Sequence, residues 1–350
     1  MDLIVPRPEG LYCPPGDFFI DPWRAVERAI ITHGHSDHAR FGSAVYLCHH
    51  DSAPILRRRL GEVRIETVRY REAIERNGVK ISLHPAGHIL GSAQIRVEYR
   101  GEIWVASGDY KLEADGTCEP FEPVRCDCFI TESTFGLPIY RWRPQAEIFA
   151  EINRWWRNNA ANGRASVMEA YGLGKAQRVL RHLDPDIGPI VSHGAIEPIN
   201  QIYRDLGAPL PLTRLANDGL DRSALARAFV LAPPSAAQSP WMRRFGAYSD
   251  AFASGWMQVR GNRRRLGVDQ GFALSDHADW PGLLQAIEST GATRVLVTHG
   301  GVATLVRYLR ENGLDAAAIN SEYGDEALEG EGLPDDSAEA ASSAGEPIPS

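Results

Sequence analysis

Short apolar runs punctuated by Gly, Pro and Asp fill residues 17–134 of this 350-residue chain. Runs of four to eight residues bounded by turn formers read as strands, here near 18–20, 29–31, 44–47, 63–68, 79–84, 93–100 and 103–107. The pattern then changes. After Pro144, which suits a first helical turn, Ile148, Phe149, Ile152, Trp155 and Trp156 recur at helical spacing, so 144–158 is predicted as a helix with both tryptophans in the core. Strands and helices alternate from there: strand 165–168 and a helix from 174, strand 189–191 and a helix from 196, strand 228–231. Such alternation predicts an α/β segment with crossover helices and a parallel sheet. Beyond residue 271 come a loop, a helix near 281–289, a strand 294–297 and a helix 302–310.

Polar residues at the ends of these apolar runs supply candidate chemistry. His33-Gly-His35-Ser-Asp37-His38 follows Ala29-Ile30-Ile31 directly, placing four metal-seeking side chains on the loop leaving a buried strand. Neutral imidazoles with a carboxylate suit Zn, Mn or Fe better than Mg or Ca. His88 lies between two strand-like stretches, Asp109 closes Ile103-Trp-Val-Ala-Ser-Gly-Asp109, and His299 closes Arg294-Val-Leu-Val-Thr-His299. Any one of these would commonly be a cap or a hydrogen-bonded core residue. Together, at successive strand ends, they read as one two-metal site. Asp279, before Trp280-Pro281, is the expected N-cap of the helix that follows.

Charge changes the picture only when resolved along the chain. The formal net charge is −8, from 37 Lys and Arg against 45 Asp and Glu. Residues 325–350 hold eight of those acids and no Lys or Arg, so the body is neutral. Within it, residues 135–270 carry 18 basic and 11 acidic side chains, a local excess of the kind that suits a polyanion. The tail, rich in Ala, Glu, Ser, Gly and Pro, is too poor in apolar residues to fold and is expected to be disordered. No apolar run reaches transmembrane length and the first residues are not patterned as a signal peptide, so no membrane partner is expected. The cysteines number five, and a Cys126–Cys128 disulfide within a strand would be strained. A reducing, cytoplasmic setting is expected.

The order and spacing of His33-x-His35-x-Asp37-His38, His88 and Ser-Gly-Asp109 resemble the metallo-β-lactamase superfamily. Thr131-Glu132-Ser-Thr134, Leu274-Ser-Asp-His277-Ala-Asp279 and Val297-Thr-His299-Gly300 resemble the three motifs of its β-CASP branch, the nucleic-acid-cleaving arm. Gly136-Leu-Pro-Ile-Tyr-Arg-Trp, Tyr171-Gly-Leu-Gly-Lys-Ala-Gln-Arg178 and Ser254-Gly-Trp-Met-Gln-Val-Arg-Gly261 are most similar to the bacterial ligase-associated exonucleases, which are SNM/Artemis-like. The resemblance covers about residues 10 to 324.

It implies an α/β fold: a metallo-β-lactamase αββα sandwich with an inserted α/β β-CASP domain. Residues 1–149 and 266–324 would form the sandwich and 150–265 the insert, with 325–350 as the acidic tail. It also implies two divalent ions, Zn or Mn. His33, His35 and His88 would hold one, Asp37, His38 and His299 the other, and Asp109 would bridge. Asp21 would orient the histidine loop. His277, paired with Glu132, would be the general acid, so that Asp37, Glu132 and His277 form the catalytic set. The implied activity is phosphodiester hydrolysis, as a 5′ exonuclease on single-stranded DNA in repair beside a DNA ligase.

His299 bears on the substrate, because RNA-cutting members of the branch carry His there whereas the eukaryotic DNA-cutting members carry Val. An RNA-processing nuclease of the RNase J or mRNA 3′-end type is therefore the alternative, with a small-molecule hydrolase behind it. For anion contacts the sequence offers Lys175 and Arg178 at a helix start, and Arg260, Arg263, Arg264 and Arg265 in a basic stretch.

Overall fold

A computed structural model describes residues 2–237 and 239–319. The expected disordered tail, 325–350, lies outside the described residues. The described residues form three sheets. The first runs in sequence order through Val5–Arg7, Gly10–Cys13, Phe18–Ile20, Arg28–Ile30, Val45–His49 and Ile65–Val68. The second is ordered Asp315–Ala318, Arg294–Gly300, Cys128–Ser133, Glu102–Ala106, Ala93–Tyr99, Val79–Pro85, Ala73–Arg76, parallel over its first four strands and antiparallel beyond.

Strand periodicity explains how these two sheets stack, since successive side chains point to opposite faces. Ile30 joins Ile81, Leu83, Val97, Trp104, Ile130 and Leu296 in an apolar core shared by both sheets. The neighbours Ala29 and Ile31 point away and pack with Leu56 and Leu60 of the helix Ala53–Leu60. Phe129, Val295 and Val297 point away on the other side, against Leu283, Ile287, Leu305 and Leu309 of the helices Trp280–Thr290 and Val302–Glu311. The layers are therefore helix, sheet, sheet, helices.

The third sheet, ordered Arg214–Leu215, Ile190–Ser192, Phe229–Ala232, Ala165–Glu169, Tyr248–Ala253, Gln270–Phe272, is parallel throughout, as the strand–helix alternation predicts. Met168 faces one core and Val167 the other. The helix Gln145–Ala161 covers the first of these faces with Ile148, Phe149, Ile152 and Trp156. Pro144 stands just before that helix rather than inside its first turn, and Trp155 is only half-buried. The packed unit around the third sheet thus reaches beyond both ends of the 150–265 span expected from sequence. Among the described residues, no helix is long and apolar enough to cross a membrane. All five cysteines are free.

Candidate metal centre and active site

The histidine loop begins where the parallel strands Phe18–Ile20 and Arg28–Ile30 end side by side. Asp21, at a positive φ of 41°, turns its carboxylate back over that edge. It accepts from the Thr32 N–H at 2.8 Å and from the Thr32 hydroxyl, and lies 2.7 Å from His38 Nδ1. Gly108 makes room for this arrangement, because a Cβ there would come 2.6 Å from Thr32 Cβ. Asp21 therefore fixes one ring nitrogen of His38 and turns the other inward.

Of the three groups that share Asp109 among the described residues, one joins it to Glu132 and His277 and the other two are rich in histidine. His33, His35, His88 and Asp109 form one: His35 Nδ1 lies 3.0 Å from His33 Nε2 and 3.1 Å from His88 Nε2. Asp109 Oδ2 lies 3.5 Å from His33 Nε2 and 3.8 Å from His88 Nε2. His38, Asp109 and His299 form the other, with His38 Nε2 3.4 Å from Asp109 Oδ2 and His299 Nε2 3.4 Å from Asp109 Oδ1. Asp37 is 3.6 Å from His38 Nε2 and also groups with His33.

The electrostatics suit cations. Burial pushes His33 and His88 well below the ordinary histidine range and lowers His35, leaving neutral imidazoles with lone pairs directed inward. Burial acts the same way on His38, but the carboxylates of Asp109, Asp37 and Asp21 outweigh it and raise that residue well above the ordinary range. Asp109 is held well below the usual carboxylate range: burial pushes it up, and His38, His277 and His299 together prevail. Its Oδ1 is buried without a hydrogen-bond partner, a costly state unless something else compensates it. An acceptor-only carboxylate between two sets of imidazoles, with one oxygen orphaned, is a donor set that fits bound divalent ions.

Beside this cluster stands a second arrangement. The Cys128–Ser133 strand shifts register against Arg294–Gly300 between Thr131 and Ser133, and Glu132 sits at that irregularity, a device that re-aims side chains. Its buried carboxylate accepts from the Tyr110 N–H at 2.8 Å and the Thr134 hydroxyl at 2.6 Å, and lies 2.9 Å from His277 Nδ1. The His277 ring is 4.8 Å from that of His88, which brings it to the edge of the metal-seeking cluster. Trp142 steadies it from behind, its indole N–H donating to the His277 carbonyl at 3.0 Å. Asp279 caps the next helix as expected, accepting from the Gly282 N–H at 2.9 Å.

The anion candidates divide. Lys175 and Arg178 do not face solvent: both are buried, Lys175 Nζ lies 2.9 Å from Asp276 Oδ2, and Arg178 Nη1 lies 3.2 Å from Asp276 Oδ1. Their charges are compensated inside the molecule, which corrects the reading of them as phosphate contacts. Arg264 and Arg265 are exposed on the helix Arg260–Leu266, which also contains Arg260 and Arg263. Sequence reasoning gave no role to Asp276, Thr32, Trp142 or the Leu173 carbonyl, which lies 3.1 Å from His35 Nε2. Asp276 had a signal, an acid abutting His277; a backbone carbonyl has none.

This geometry defines a mixed α/β protein with a buried His/Asp site able to hold metal. No family model matches the chain. It is 32% identical over 317 residues to a protein named "Probable DNA ligase" from Opitutus terrae, across 89% of this chain and 31% of that one. It is 37% identical over 123 residues to "Endoribonuclease ysh1" of Schizosaccharomyces pombe, across 35% of this chain and 16% of that one. It is also 33% identical over 129 residues to "Cleavage and polyadenylation specificity factor subunit 3" of Dictyostelium discoideum, with the same coverage. The chain spans less than a third of the length of each of these relatives. A crystal structure of a protein of unknown function from Enterococcus faecalis superposes with a TM-score of 0.54 at 12% identity, covering 85% of this chain and 80% of that one, a likeness of fold alone. The sequence relatives support the β-CASP family resemblance carried by the motifs.

Proposed function

We propose that this chain is a two-metal-dependent nuclease that hydrolyses DNA phosphodiester bonds as a 5′ exonuclease on single strands, acting in repair beside a DNA ligase. The observation that carries the reading is the convergence of His33, His35, Asp37, His38, His88, Asp109 and His299 next to the Glu132–His277 pair. The layered body is read as the metallo-β-lactamase αββα sandwich, and the third sheet with its helices, about residues 145–274, as the β-CASP insert. His33, His35 and His88 would hold one ion, Asp37, His38 and His299 the other, and Asp109 both. When bound, such a pair of Zn or Mn ions lowers the pKa of water and neutralises charge on a phosphate.

The protein's own groups supply the rest. With Nδ1 turned to Glu132, His277 presents Nε2 as the donor that protonates a departing 3′ oxygen. Arg264 and Arg265 would hold the sugar–phosphate backbone without reading sequence, while the side chains of Arg260 and Arg263 lie outside the described residues. DNA is favoured because the relative matched over nearly the whole chain is named as a DNA ligase. The second reading, an RNA-processing nuclease, is favoured by His299 and by the relatives named as an endoribonuclease and a cleavage factor.

Digestion of 5′-labelled and 3′-labelled single strands, DNA and RNA in parallel, with Zn or Mn, tests both. Short products from the DNA 5′ end, absent for Asp109→Ala, are expected. Preferential RNA cutting transfers the site to RNA processing, and no cleavage under either metal returns it to a small-molecule hydrolase.

A further inference from the structure

The first metal-seeking cluster is oriented from two places outside the loops that carry it. His35 Nε2 faces the Leu173 carbonyl at 3.1 Å, and His88 Nδ1 faces the Asp276 carbonyl at 2.8 Å. An imidazole that donates through one nitrogen must offer a lone pair at the other. The nitrogens so directed are His35 Nδ1 and His88 Nε2, which face each other across the cluster.

Both carbonyls belong to one buried assembly. Leu173 lies just before the helix Lys175–Arg181, and the Asp276 side chain is held by Lys175 and Arg178 of that helix. Arg178 also donates to the Ser275 carbonyl, immediately before Asp276. From the two-sheet body, Asp115 approaches Arg178 Nε at 3.6 Å and pairs with Lys111, two residues beyond Asp109. The fit is tight: a Cβ on Gly174 would lie 2.3 Å from Ile89 Cγ2. The second cluster is served separately, with His38 oriented by Asp21 and His299 Nδ1 3.0 Å from the Thr298 hydroxyl.

We infer that Lys175, Arg178 and Asp276 are positioning residues through which the third-sheet unit sets the tautomer and aim of His35 and His88, and so the affinity of the first metal position but not the second. Buried charges that satisfy only each other could be replaced by apolar groups; these also anchor two carbonyls that contact metal-directed imidazoles. The inference rests on the two-metal reading above. Its experiment reads metal binding rather than cleavage, so the two fail separately.

The full chain, stripped by chelation, is titrated with Zn by calorimetry, with stoichiometry checked by mass spectrometry. Wild type takes up two equivalents. Lys175→Met is expected to bind one of them about 10- to 100-fold more weakly, with the other unchanged. Lys175→Arg is expected to restore most of the loss, and His88→Ala to lack the same equivalent. Folded Lys175→Met that binds both equivalents as wild type does, or loses both alike, overturns the inference. Should Lys175→Met fail to fold, Arg178→Lys, which keeps the charge and loses the planar fork, is read by the same two outcomes. Two equivalents bound without any cleavage of nucleic acid removes the nuclease reading and leaves this one standing; fewer than two in wild type overturns both.

Discussion

His277 Nδ1 lies 2.9 Å from Glu132 Oε2, across 145 positions of sequence, and the same carboxylate is held by the Tyr110 N–H and the Thr134 hydroxyl. A carboxylate already restrained from two sides cannot follow the imidazole, so the imidazole is what becomes fixed. His277→Ala is expected to slow single-turnover cleavage about 10²- to 10⁴-fold, the usual worth of a general acid, with both metal equivalents retained. Glu132→Gln should fall between wild type and His277→Ala. An equal loss of metal from His277→Ala would show that the residue is a ligand instead.

Glu169, at the end of the strand Ala165–Glu169, titrates far from its ordinary value. Burial, helped by the charge of Asp250 on the neighbouring strand, pushes its carboxyl up from 4.5 to about 7. The folded state then holds a proton that the unfolded state releases, so this group's contribution falls as pH rises from about 4.5 to 7. The cost at pH 8 is at most about 3 kcal/mol. Glu169→Gln is expected to raise the melting temperature relative to wild type at pH 8 and to leave it nearly unchanged at pH 4. Equal differences at the two pH values would refute the linkage.

Gly300 has a φ of +92°, and a Cβ there would lie 2.2 Å from Ser133 O and 2.4 Å from Ser133 C. These are backbone atoms of the neighbouring strand, which cannot step aside as a side-chain tip can. Gly300→Ala should therefore destabilise the protein by about 3 kcal/mol or more in denaturant unfolding. It should also displace His299, one residue before. Gly313→Ala is the control, since its φ is also positive, at +86°, but no atom lies within 4 Å of the added carbon. It is expected to cost distinctly less.

Arg264 and Arg265 are exposed, unlike Lys175 and Arg178. If they meet a single strand, binding must weaken with salt by counterion release. Arg264→Ala with Arg265→Ala is expected to lower the slope of log affinity against log salt by about 1 to 1.5 and to leave base preference unchanged. Lys175→Met should leave that slope as it is. An unaltered slope for the double variant would move the backbone contact elsewhere.

What the sequence by itself determined was whatever depends on local spacing. The strands near 29–31, 79–84 and 103–107, the helix bearing Ile148, Ile152 and Trp156, the parallel third sheet and the Asp279 cap all follow from periodicity and end signals that act over a few residues. His33 to His38 were conspicuous for the same reason, being packed into one loop. Tertiary structure alone decided which charges remain available. Lys175 and Arg178 looked like anion ligands until packing brought Asp276, about a hundred residues later, against both. It also decided the limits of the third-sheet unit, because Gln270–Phe272 joins that sheet by pairing with Tyr248–Ala253. A side chain's charge is written in the chain, but its desolvation and its partner are set only when distant segments pack together.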